Sequence, residues 1–217
     1  MAVTQTYTNN EICEDALRKI GVTAVDEDAT AFDIDTAKRA LFRLLKSWQN
    51  RDLDVWLKSW QTVTLTTAAS YTLDPIRPMR IDQVNFKQSN IETPMTRLTR
   101  EEYDSLPIKT TQGVPTTWYY DRQREAAKLY VWPVLAAASG QSLVVTYIRE
   151  VEDIELTDAV DVPAEWYDAL VYNLALRLMD EYGVQNNRIA QMAMKLEDEA
   201  LAFDREQSIF FAGENAH

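Results

Sequence analysis

The sequence predicts an α+β protein: a helical bundle of about four main helices, with an antiparallel β insertion between helices two and three. The main observation is a change of hydrophobic period, from near 3.6 over residues 10–50 to near 2 between 53 and 151 and back to 3.6 after 160. The second is that Pro75, Pro78, Pro94, Pro107, Pro115 and Pro133 all fall in the middle region, where strand ends and loops tolerate them. The third is the stretch Asp161–Gly183, about twenty residues without a breaker between Pro163 and Gly183. Residues 1–52 and 152–207 therefore read as the helical bundle, 53–151 as the β-rich insertion, and 208–217 as a C-terminal docking tail.

Taken in order, the first helix spans about 10–20, with Asn9 or Asn10 as N-cap, Gly21 as stop, and Ile12, Ala16, Leu17 and Ile20 as its buried stripe. After an acidic loop, Asp33 or Asp35 opens a second helix over about 33–50, with Ile34, Ala37, Leu41, Leu44, Leu45 and Trp48 at helical spacing. Its other side carries Lys38, Arg39, Arg43 and Lys46. That cluster is the best basic face in the chain, and it reads first as a solvated face paired with the acidic C-terminal third.

Four to six strands follow. They are drawn from the Thr- and aromatic-rich run 60–73, from Arg80–Gln88, in which Ile81, Gln83 or Val84, and Phe86 alternate, from two strands around a turn at 122–125, and from Gln141–Val151. A short helix interrupts them, with Thr99 as N-cap and Glu102 completing a capping box. The third main helix, about 163–182, places Trp166, Leu170, Leu174 and Leu178 in one row and Tyr167, Val171, Ala175, Met179 and Tyr182 beside it. Most of its circumference must be buried, and it is too short and too charged to cross a membrane. The last helix, about 187–206, carries Ile189, Met192, Leu196, Ala200 and Phe203 on one face. Ile209, Phe210 and Phe211 then stand in a tail with no partner element left to cover them, the pattern of a docking segment.

Composition narrows the function classes. Hydrophobic residues at 46% and six tryptophans exclude a disordered chain. Residues 151–217 carry 4 basic and 15 acidic side chains, −11 of the net −12. Phosphate contacts need clustered Lys and Arg, so this third does not grip nucleic acid. The one cysteine, Cys13, lies on an apolar face beside Ile12, which favours core over nucleophile and leaves no internal disulfide. The N-terminus lacks the basic and apolar runs of a signal peptide, so export by the usual route is not expected. The one histidine is His217, which removes His-based triads and His-ligated metal sites, and the five glycines are too scattered for a phosphate-cradling loop. No catalytic, cofactor or metal residues are assigned, and no cofactor is expected. Among 34 carboxylates a pair at glycosidase spacing stays open, which would make a peptidoglycan hydrolase. A DNA-binding module using the 38–46 basic face is the other alternative.

Three runs carry a resemblance: Gly113-x-Pro115-x-x-Trp118, Tyr130-x-Trp132-Pro133, and Val162-Pro163-x-x-Trp166-Tyr167. Within residues 113–183 the chain resembles the head-to-tail adaptor proteins of tailed phages, and in particular the tail accessory factor, or packaged DNA stabilisation protein, of short-tailed phages. The order of helices and strands extends the likeness to nearly the whole chain. The resemblance implies a structural virion protein of the neck. It would form a homo-oligomeric ring, commonly of twelve copies, below the portal protein, and hold tail nozzle or tail spike proteins beneath it. Double-stranded DNA would pass without sequence-specific contact, no membrane would be involved, and Ile209, Phe210 and Phe211 would dock on the portal or a neighbouring subunit.

Overall fold

The computed structural model describes residues 6–24, 26–50, 55–75, 77–151 and 155–204. It is an α+β structure, and the chain divides into two compact units: Met1–Trp56 with Val151–His217, and Leu57–Glu150.

In the first unit, α1 (Asn9–Lys19), α2 (Ala31–Gln49), α4 (Tyr167–Tyr182) and α5 (Asn187–Asp204) pack together, and α4 touches each of the other three. The reason lies in its sequence. Trp166, Leu170, Leu174 and Leu178 are all at most 1% exposed, and Val171, Ala175 and Met179 are buried beside them. Only Asp168, Arg177, Asp180 and Glu181 of α4 lie open to solvent. Pro163 precedes a 3₁₀ turn (Ala164–Trp166) that leads into α4, and Gly183, at φ +65°, closes it in the left-handed conformation. The Val184 N–H then donates to the Met179 carbonyl at 3.0 Å.

Two helix starts differ from the sequence reading. Thr8, not Asn9 or Asn10, caps α1: its hydroxyl accepts from the Glu11 N–H at 3.2 Å, and the Glu11 carboxylate accepts from the Thr8 N–H at 2.8 Å. Asn9 is instead buried, because its side-chain amide donates to the Glu155 and Asp158 carbonyls at 2.8 and 3.1 Å. Thr30, not Asp33 or Asp35, caps α2, with Asp33 at the third helical position. A Thr upstream of the expected residues supplies the same acceptor oxygen, so helical periodicity alone does not separate the candidates. On α5, Ile189, Ala193 and Ala200 are buried while Met192 and Leu196 are half-buried, so the buried stripe is rotated toward the small residues.

The second unit holds eight strands among its described residues, more than the four to six expected, in two sheets. One has the order β1 (Lys58–Thr64), β8 (Ser142–Ile148), β3 (Arg80–Gln88), β4 (Ile91–Pro94); the other has β2 (Ser70–Tyr71), β7 (Lys128–Trp132), β6 (Thr117–Asp121), β5 (Thr96–Arg97). The pairing is not wholly antiparallel: β5 runs parallel to β6 over two residue pairs, because α3 (Arg100–Asp104) and the following loop return the chain to the same end. Thr99 caps α3 and forms the capping box with Glu102, as expected.

In β3 the register against β8 shifts between Ile81 and Gln83. This bulge turns Ile81, Val84 and Phe86 all inward, which is why the sequence alternation is ambiguous at Gln83 and Val84. One buried cluster takes side chains from both sheets, including Val84, Phe86, Leu143 and Val145 from the first and Trp118, Leu129 and Val131 from the second. The polar atoms of its aromatics are satisfied: the Tyr120 hydroxyl donates to the Pro78 carbonyl at 2.6 Å and Trp118 Nε1 to the Met95 carbonyl at 3.3 Å.

Candidate interaction surfaces

The runs that carry the resemblance are structural. Gly113 lies against Pro133 so closely that an added Cβ would sit 3.3 Å from the proline's own Cβ, and the Gly113 N–H donates to the Val134 carbonyl at 2.8 Å. The Gly-x-Pro and Trp-Pro runs are therefore one contact. Trp132 Nε1 fixes the adjoining loop through the Ile108 carbonyl at 3.0 Å. Cys13 is fully buried and its thiol is pushed up to about 12 by burial, so it is a core side chain with no thiolate at neutral pH. Among the described residues no three His, Cys, Asp or Glu side chains converge on a metal-sized space, and no helix is long and apolar enough to cross a membrane.

The basic face of α2 is largely paired. Lys38 reaches Glu155 at 3.5 Å and Arg43 reaches Glu181 at 3.7 Å, both acids of the C-terminal third. Arg39 pairs with Asp35 one turn back, and the Lys46 ammonium donates to the Val151 carbonyl at 3.3 Å and sits 5.4 Å from the Phe42 ring centre. With a carboxylate beside each of Lys38, Arg39 and Arg43, the face offers little net positive charge to a phosphate backbone.

Two further surfaces stand out on the helical unit among the described residues. Phe32 and Phe42, 73% and 38% exposed, lie on the outward side of α2 with Arg39 between them. Their spacing places them on one face of the helix. Nothing in the sequence separates these two phenylalanines from core residues except that they fall off the Ile34-to-Trp48 stripe. The second surface is an open groove of about 720 Å³ between α2, α4 and α5, lined by Leu44, Leu176, Arg177, Met194, Glu197 and Asp198, with Met194 67% exposed. Arg177 is held against the Ser47 hydroxyl at 2.6 Å, and the Asn173 amide bridges the Ala169 and Ala193 carbonyls at 2.9 and 3.3 Å, joining α4 to α5 at the groove. Ile209, Phe210 and Phe211, the residues the sequence nominates for docking, lie outside the described residues.

Among curated proteins none matches this sequence. One solved structure, described as "Neck of empty GTA particle computed with C6 symmetry", contains a chain 12% identical to this one, with 80% of each chain covered and a TM-score of 0.30, too low for any inference here. The family model described as SU10 adaptor protein matches residues 10–211, nearly the whole chain. This chain belongs to the SU10 adaptor protein family.

Proposed function

We propose that this protein is a structural component of the phage virion, a head-to-tail connector adaptor at the portal vertex. The observation that carries this reading is the family match over residues 10–211, which takes in both units and extends to Ile209, Phe210 and Phe211. In this role copies form a ring, of about twelve by the resemblance, below the portal protein. The ring closes the DNA exit channel after genome packaging, and its lower face receives nozzle or tail spike proteins. The work is done by surfaces, not by reacting groups, so the role is non-enzymatic. The helical unit and the β-rich unit act as the ring body and its extension, and residues 208–217 act as a docking tail.

The charge distribution supports the handling of DNA. Acidic walls gain no counterion-release energy from phosphates, so a duplex in the channel slides during ejection and does not stick. The tail supports attachment to the portal. Three large apolar side chains each gain about 1.5–3 kcal/mol on burial, before ordering costs, and many copies around a ring act together. Deleting residues 208–217 tests this directly. A folded chain that no longer binds portal is the expected result, and normal binding, or loss of the fold itself, would overturn the docking role.

A further inference from the structure

We propose that neighbouring copies of this chain meet by seating the outward α2 stripe of one copy, Phe32, Arg39 and Phe42, in the α2/α4/α5 groove of the next. The inference rests on the ring reading above and assigns residues to its subunit contact.

The two surfaces are complementary in three respects. In shape, an exposed helical ridge carrying two phenyl rings faces an open groove of about 720 Å³, whose size lies within the ~300–1,000 Å³ range of pockets that enclose drug-sized groups. In polarity, Leu44, Leu176 and Met194 give the groove apolar lining for the rings, and an aromatic anchor in an apolar pocket is the usual centre of a protein contact. In charge, the stripe carries Arg39 with Arg43 beside it, while Glu197 and Asp198 line the groove together with Arg177, which leaves the groove one carboxylate in excess. Arg39 and Arg43 pair within the chain, but their side chains stay 59% and 64% exposed, and surface pairs of this kind exchange partners at little cost.

The geometry also fixes the kind of assembly. On α2, Leu44 and Ser47 line the groove, while Phe32, Arg39 and Phe42 form the stripe. At about 100° per residue the centres of these two sets lie roughly a third of a turn or more apart around the helix. Stripe and groove are therefore different surfaces of one copy, so the contact is head-to-tail. Each copy offers its stripe to one neighbour and its groove to the other. Such a contact builds a ring when its rotation closes, whereas a self-complementary patch would stop at a dimer.

The test mixes two full-length variants, Phe42→Cys carrying a tag and Met194→Cys without one, at concentrations where the wild type assembles alone or on portal, and adds a short bis-maleimide. Cys13 is buried and stays silent. The expected result is a cross-linked pair of one tagged and one untagged chain in the mixture, well above either variant alone. In parallel, Arg39→Glu and Glu197→Lys should each weaken self-association at least about tenfold, and the double variant should recover most of it. Wild-type assembly with no excess cross-link in the mixture, or with both charge variants unaffected, overturns this contact while leaving the ring reading intact. A wild type that never self-associates, with or without portal, overturns both. If deletion of residues 208–217 frees the groove so that Met194→Cys labels faster, the occupant is the chain's own tail and the proposal is wrong.

Discussion

The Tyr182 hydroxyl donates a 2.6 Å hydrogen bond to the Asp33 carboxylate, tying the last turn of α4 to the first turn of α2. Asp33 also accepts from the Thr30 hydroxyl at 2.5 Å, and these bonds, Thr30 first, hold its carboxyl below the usual range. The Tyr182 phenol moves the other way, pushed up by burial and then by its bond to Asp33. The contact thus joins two helix ends that are far apart in sequence.

The pH dependence follows from these directions. The contribution of Asp33 is fully present above its unfolded value of about 3.9 and is lost as pH falls through the lowered folded value. That of Tyr182 is present below about pH 10 and is lost as pH rises through its raised value. Tyr182→Phe should cost about 1 kcal/mol at pH 7, a few degrees in Tm, with the deficit shrinking as Asp33 protonates. Thermal unfolding followed by helix ellipticity from pH 2 to 7 checks it, and a deficit independent of pH would contradict the pairing.

Leu170 is fully buried in the first turn of α4, so Leu170→Ala should destabilise by about 2–5 kcal/mol. Denaturant titration reads this as a lower midpoint. An unchanged midpoint would mean that the face of α4 bearing Trp166 and Leu170 is not the packed one.

Asn9 donates to two carbonyls from a site 3% exposed. Asn9→Asp replaces that donor with an acceptor and a charge, and should cost about 2 kcal/mol or more, exceeding Asn9→Ala. Comparing the two variants by chemical denaturation at pH 7 and pH 4 checks the argument. The Asp deficit should narrow at the lower pH, where the carboxyl can carry a proton and donate.

Burial raises the Cys13 thiol to about 12, so a thiol reagent at pH 8 should label the native protein only as fast as it opens. Full labelling within seconds would place Cys13 at the surface. Labelling in denaturant should reach one thiol per chain.

Legibility followed the strength of each residue's physical preference. Gly183 and the apolar rows of α4 were plain in the sequence because a helix buried on most sides has few ways to satisfy its pattern. The bulge in β3 showed as an ambiguity at Gln83 and Val84 before its cause was visible. β4 and β5 did not show, since all their residues are exposed and a strand without a buried face has no alternation to read. The candidate surfaces were the least legible. Phe32 and Met194 are apolar residues facing solvent, and a groove made by three helices is not a property of any one segment. For docking, the sequence nominated Ile209, Phe210 and Phe211, from their position past the last helix.

The central claim is that this chain works as a ring on the portal. Its most direct test is the native mass of the full-length protein, alone and mixed with portal, measured across the concentration range in which assembly is expected. The account predicts a ring-sized mass, near twelve times the 24.9 kDa of the chain, in at least the mixture with portal. A stable 24.9 kDa monomer under both conditions would contradict it.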